Sequence, residues 1–263
     1  MCFPGKRQKN NFAEPKPTPL QDAKAEASQP KPSSSSIPAP APPATLEPPV
    51  SDTPEVKMSA PRVAIIVYSL YGHITKLAEA VKGGISSAGG SATIYQIQET
   101  LSDDILKLLR APPRPDYPVL LPDDLVNFDA FLFGVPTRYG NFPVQWKAFW
   151  DATGSLWSKS ALAGKMCGVF VSTGTQGGGQ EVTISNSLST FVHHGMIYVP
   201  LGYKNTFPQL SNLTEIHGGS SWGAGTFAGT DGSRQPSALE SEIASLQGKG
   251  FWETVSRYHG QSN

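Results

Sequence analysis

Arg62-Val63-Ala64-Ile65-Ile66-Val67-Tyr68-Ser69-Leu70-Tyr71-Gly72-His73-Ile74 decides the fold. Its first seven residues form a nearly unbroken β-branched apolar run, the pattern of a strand buried on both faces, as in a parallel sheet. Beyond Gly72, the residues Ile74, Leu77, Ala78, Val81 and Ile85 recur at helical spacing, and Gly89-Gly90 ends the helix. A buried strand that turns through glycine into an amphipathic helix is the opening unit of an alternating α/β fold.

The pattern repeats outward from there. Ala92–Ile97 reads as a second strand, Asp103–Arg110 as a short helix, and Ala111–Pro122 is broken by prolines. Ala130–Gly134 is a third strand, Val144–Asp151 a helix, Met166–Val171 a fourth strand and Glu181–Phe191 a helix. Met196–Val199 reads as a fifth strand, and Ala238–Tyr258 as the closing helix. Five strands alternating with helices predict a flavodoxin-like, doubly wound five-stranded parallel sheet in the order 2-1-3-4-5, with helices on both faces. Gly218–Ser233 is a Gly/Ser/Thr-rich stretch too long for a simple connector, and is expected to be ordered by a ligand or a partner.

Composition divides the chain. Residues 1–57 hold 13 of its 24 prolines, and residues 13–57 contain no Phe, Trp or Tyr. So little apolar surface cannot offset ordering entropy, so 1–57 is read as a disordered Pro/Ser/Ala-rich arm and 58–263 as one folded domain. The chain carries no net formal charge, which argues against nucleic acid as an obligate partner. Its two cysteines, Cys2 and Cys167, fall in the arm and in a core strand. A structural disulfide is therefore not expected, and a reducing, cytoplasmic compartment is favoured. No apolar run is long enough to span a bilayer, and no hydrophobic segment follows the basic N-terminus as a secretory signal requires. Cys2 beside Lys6, Arg7 and Lys9 is a candidate for S-acylation with basic attraction to anionic lipid. An unmodified tail is the plainer reading, and a peripheral membrane contact is expected only if Cys2 is acylated.

Three glycine-punctuated loops follow strands one, three and four: Ser69–Ile74, Pro136–Asn141 and Ser172–Gln180. Ligands of open α/β sheets bind at that edge. The first loop opens a helix whose unpaired N–H groups suit a phosphate, with Ser69 as a hydroxyl donor and Gly72 permitting close approach. The turn has no Gly-Lys-Ser/Thr and no Gly-x-Gly-x-x-Gly, so a monophosphate fits it better than a nucleoside triphosphate or a dinucleotide; a plain polar turn is the bland alternative. Backbone amides of Thr137–Gly140 and Thr173–Gly177 are placed to meet the heteroatoms of an isoalloxazine. Arg138 either puts positive charge near its N1/O2 edge or makes a surface ion pair. FMN is the cofactor these loops suggest. His193 and His194 are adjacent and cannot share one metal from a helix, so no metal site is expected.

Together the loops resemble the WrbA family of flavodoxin-like NAD(P)H:quinone oxidoreductases. Gly154-Ser155-Leu156-Trp157, His193-His194-Gly195-Met196 and Gly229–Pro236 look like family segments too, and the likeness is to a fungal-type member with an N-terminal extension. The resemblance implies FMN contacts from Ser69, Leu70, Tyr71, Gly72, His73, Ile74, Thr137, Arg138, Tyr139, Ser172, Thr173, Gly174, Thr175, Gln176, Gly177 and His193. It further implies Tyr71 against the nicotinamide of NADH or NADPH, Trp157 on the quinone face, and a homotetramer with Trp157 and Gly218–Ser233 near subunit boundaries. No protein nucleophile is expected, since the flavin carries the chemistry. Leu70 and Tyr139 depart from the family's common Met and Phe while keeping size and apolarity. Two other functions stay open: a one-electron flavodoxin-type carrier, which the neutral charge disfavours, and a membrane-associated scaffold or stress protein.

Overall fold

The computed structural model describes residues 59–259. Cys2 and the expected boundary at residue 58 lie outside them. Within the described part, β1 (Val63–Val67) leads into α1 (His73–Ser87), followed by β2 (Ala92–Gln96), α2 (Asp103–Leu108) and a 3₁₀ turn (Pro122–Asn127). The chain continues through β3 (Ala130–Pro136), α3 (Val144–Asp151), α4 (Gly154–Ser158), β4 (Met166–Thr173) and α5 (Gln180–His193). It ends with β5 (Ile197–Tyr198), α6 (Phe207–Leu210), β6 (Gly225–Phe227) and α7 (Ala238–His259).

All strand pairs are parallel, in the order β2-β1-β3-β4-β5. The unbroken apolar strands are explained by two cores, one on each face. Ala64, Ile66, Phe131, Phe133, Val169 and Val171 point toward the aromatic cover of α3 and α5, which includes Trp146, Trp150 and Phe191. Ile65, Val67, Leu132 and Phe170 point toward Leu77, Val81, Ile243 and Phe251 of α1 and α7. Cys167 is buried in β4, and desolvation pushes its thiol up to about 12, consistent with an inert core residue.

The fifth strand departs from expectation. Instead of one strand over Met196–Val199, β5 pairs only with Met166 and Cys167 at the lower end of β4. The upper end, Val171–Thr173, pairs with β6, which lies inside the stretch read as the Gly218–Ser233 loop. A fifth strand interrupted by residues 199–224 thus completes the sheet. Its glycines are there for packing: a Cβ on Gly223 would stand 2.1 Å from the Val169 oxygen, and one on Gly225 2.2 Å from Gln180 Oε1. A three-residue strand of such composition carries no alternation to read. The short helices α4 and α6 were not anticipated either.

Helices α1 and α7 approach as closely as their backbones allow. A Cβ on Gly248 would stand 2.0 Å from the Val81 oxygen, and one on Gly84 1.8 Å from that of Ser245. Gly248→Ala should therefore cost about 1–3 kcal/mol through forced separation of the pair, although alanine has the higher helix propensity. Denaturant unfolding checks this, and a stabilised variant would show that the crossing is looser than described.

Candidate functional site

The first loop leaves β1 and enters α1 through Gly72, which sits at φ +87°, a left-handed backbone that suits glycine. Its N–H donates to Ser69 Oγ at 3.1 Å, leaving the Ser69 hydroxyl hydrogen free. The first intrahelical bond belongs to Lys76 N, which donates to Gly72 O. The N–H groups of Tyr71, His73, Ile74 and Thr75 have no backbone acceptor among the described residues. Four unpaired donors at the N-terminus of a 15-residue helix form an anion cradle. Ile74 takes part through its backbone alone, since its side chain is buried in the core against Gly134. The buried His73 ring turns away to the Arg234 carbonyl, with Nε2 at 2.8 Å.

The second loop is a two-residue hairpin. Arg138 N donates to Asn141 O and Asn141 N to Arg138 O, both at 2.9 Å, with Tyr139 at φ +55° and Gly140 at φ +70° between them. Positive φ at both central positions makes it a type I′ turn, which favours Asn-Gly. Tyrosine there is strained, and its ring is fully exposed. Thr137 N donates to Ser172 O and Gly140 N to Thr137 Oγ1, so the expected row of free amides reduces to that of Tyr139. The loop is anchored below, where Thr137 Oγ1 meets Thr183 Oγ1 at 2.7 Å and Asn186 Nδ2 donates to Gly140 O. Arg138 makes none of the ion pairs among the described residues. Its guanidinium donates to Thr137 O, leaving its charge uncompensated at the rim.

These two loops converge with the third on one cleft of about 280 Å³. Ser69, Leu70, Tyr71, His73, Thr137, Arg138, Ser172, Thr173 and Gly174 line it. Thr175, Gln176 and Gly177 lie beyond, exposed, and their N–H groups have no backbone acceptor. The fourth wall, Ala228–Gly232, was not among the expected site residues. It follows β6, and Ala228 N and Gly229 N bind it to the carbonyls of Thr173 and Gly174 at 2.8 and 2.9 Å. The sequence signal was a glycine-rich stretch too long to be a connector; its role depended on β6. Asp231 brings a carboxylate to this wall, held ionised by the N–H and hydroxyl of Ser233. A wider, mostly apolar hollow of about 730 Å³ adjoins the cleft through Leu70 and Arg138, with Leu101, Leu109, Tyr139 and Phe142 in its walls.

Two expected contacts lie elsewhere. The cleft meets α5 at its start, whereas His193 is its last residue, about 20 Å further at 1.5 Å per residue. Trp157, more than half exposed, lies on α4 near the same far end. There the buried His194 binds Thr153 at 2.9 Å, one residue before α4 begins. The Thr153 hydroxyl donates to Trp150 O, so His194 Nε2 is the donor to Thr153. Burial and the neighbouring His193 lower the His194 pKa, keeping its ring neutral. His193 and Trp157 do not line the cleft of their own chain. Among the described residues, no acidic, His or Cys cluster could hold a metal.

A parallel 2-1-3-4-5 sheet with an anion cradle at its first turn and a cleft at its switch point defines a flavodoxin-fold nucleotide-binding protein. The solved structure of a flavodoxin, WrbA-like protein from Agrobacterium tumefaciens has this fold, with a TM-score of 0.52 and 23% identity over 76% of this chain and 99% of that one. Residues 61–206 match the model of the NADPH-dependent FMN reductase family, and the chain belongs to that family. It is 66% identical to NAD(P)H quinone oxidoreductase PST3 of Candida albicans over 75% of this chain and 100% of the relative. It is 64% identical, with the same coverage, to Protoplast secreted protein 2 of Saccharomyces cerevisiae.

The strain at Tyr139 makes a test. Asparagine tolerates left-handed backbone, so Tyr139→Asn should leave stability unchanged or raise it by up to about 1 kcal/mol. A loss larger than that in a denaturant melt would mean the ring packs within its own chain.

Proposed function

We propose that this chain is an FMN-dependent NAD(P)H:quinone oxidoreductase that reduces quinones to hydroquinones by two electrons. The observation that carries the reading is the unpaired N–H set of Tyr71, His73, Ile74 and Thr75 at the head of a cleft closed by the second and third loops and the 228–232 wall. This donor set suits a phosphate monoester, and the loops of residues 136–141 and 172–177 would flank a ring beyond it. Membership of the FMN reductase family and the printed names of the Candida albicans relatives support it.

When bound, FMN would supply two-electron hydride chemistry between reduced nicotinamide and a quinone. The chain's own residues position and exclude. Ser69 and the helix head would hold the phosphate, Tyr139 N–H and the Thr175–Gly177 amides would serve the ring, and Arg138 would set positive charge beside it. Tyr71 and Leu70 would face the nicotinamide, and the hollow beyond Leu70 would admit both substrates by turns. Because they share one face, initial rates should give parallel double-reciprocal lines. The full chain should also purify yellow, or turn yellow with added FMN. A colourless chain that takes up no FMN would sink the reading.

The reading includes a homotetramer. Its support is geometric: His193 is exposed about 20 Å along α5 from its own cleft and Trp157 lies near that far end, so they would reach a flavin only from a neighbouring copy. Trp157→Ala should then impair quinone turnover far more than FMN affinity, and sedimentation should give a tetramer. A fully active monomer would overturn this part. A cytoplasmic location belongs to the same proposal, with a peripheral membrane contact only if Cys2 is acylated.

A further inference from the structure

The 228–234 segment is held by an ion pair between a partly exposed arginine and a buried carboxylate that the chemistry above does not use. Glu240, in the first turn of α7, is completely buried. Its Oε1 accepts from Gly218 N at 2.9 Å and Phe227 N at 3.4 Å. Its Oε2 accepts from Thr226 Oγ1 at 2.7 Å and from Ser237 N and Arg234 Nη1 at 2.9 Å each. Ser237 Oγ accepts from Glu240 N, so Ser237-Ala238-Leu239-Glu240 is a capping box whose carboxylate also serves a distant partner. Arg234 is that partner. Its guanidinium also donates to Phe227 O at 2.7 Å and Ile216 O at 3.0 Å.

The backbone of Arg234 works on the other side. Its N–H closes the arch on Ala228 O at 3.0 Å, and its carbonyl accepts from His73 Nε2 at 2.8 Å. A carbonyl only accepts, so this bond fixes the His73 tautomer with its proton on Nε2. Next in the chain, Gln235 Oε1 accepts from Lys76 Nζ at 2.6 Å. The arch thus joins the buried carboxylate of α7 to the first turn of α1, where the unpaired N–H groups lie.

We propose that Arg234 and Glu240 are a positioning pair for the phosphate end of the cleft, acting through the 228–234 arch and the His73 ring. The pair is neutral as a unit, so it acts through geometry rather than by attracting the phosphate charge. This rests on the FMN reading for its ligand, but its first link, from Arg234 to His73, does not.

The distinction sets the signs of the test. If Arg234 served as a cation for the phosphate, Arg234→Lys would be nearly silent, and Glu240→Gln, by freeing the positive charge, would tighten FMN. Positioning requires the reverse: lysine cannot reproduce the forked donors, and both variants should bind FMN about tenfold to a hundredfold more weakly. FMN dissociation constants would be read by flavin fluorescence on the full chain, for wild type, both variants, His73→Phe and the Arg234→Lys/His73→Phe double variant. The double variant should be no weaker than the worse single one, since both break one linkage. Imidazole ¹⁵N spectra without FMN should show the Nε2-protonated His73 in the wild type and tautomer exchange in Arg234→Lys. Because Glu240→Gln strips the pair of its buried carboxylate and risks misfolding, Arg234→Lys carries the decision. Unchanged FMN affinity with an unchanged His73 spectrum in that variant, or tighter binding by a folded Glu240→Gln, would overturn the proposal. Should the wild type bind no FMN, the cofactor reading and the affinity role fall together, while the His73 spectrum still judges the linkage.

Discussion

Parallel pairing is the constraint on which everything else depends. It forces each strand end that leads to a helix onto one edge, so the loops at residues 69–74, 136–141 and 172–179 have no choice but to be neighbours. The register sharpens this: Val67 stands opposite Gly134, which stands opposite Phe170, while β3 and β4 run on to Pro136 and Thr173. Ser69, Pro136 and Ser172, two residues further along each strand, therefore open the three loops at one level.

The walls stay open to a ligand because their internal hydrogen bonds are satisfied from below. Thr137 is held by Thr183 and by the backbone of Ser172, the arch by Thr173 and Gly174, and the arch again by Arg234 and Glu240. What is left facing the cleft among the described residues is a short set of amides, the Arg138 cation and the Asp231 carboxylate. An anionic ligand met mainly by backbone dipoles suffers little desolvation of competing side-chain charges. It also explains why a domain near electrical neutrality can hold a phosphate without a basic patch.

Much of this could be read from the sequence, and the reason is physical. A strand buried on both faces reads as Val63–Val67 does, and a helix with one buried stripe reads as α1 does, so order and topology follow from local pattern. The loop positions follow from the strand ends. What escaped were features set by contacts distant in sequence. β6 is a strand because Gly223 and Gly225 let it lie against Val169 and Gln180, and no property of Gly-Thr-Phe announces that. The amides of Arg138 and Gly140 look available until the hairpin that consumes them is known, and that of Thr137 until β4 is known to lie beside it. The Ser-x-x-Glu of α7 is a legible helix start, yet its second task depends on an arginine that folding alone brings beside it.

The interrupted fifth strand links these observations. A single continuous strand would run up β4 and turn directly into α7, leaving the cleft with three loops and an open side. Breaking it after Tyr198 and resuming at Gly225 lets the chain arrive at the top of β4 by its own path and continue straight into the arch. The interruption also places Ile216 and Gly218 where the Arg234–Glu240 pair can gather them. Residues 199–224 therefore do more than decorate the sheet. They supply part of the cage that keeps a buried carboxylate satisfied, and that carboxylate holds the fourth wall. A cleft wall made of glycine and small polar residues has too little apolar surface to order itself. Here its order comes from an ion pair placed behind it, whose buried carboxylate is met by five hydrogen bonds.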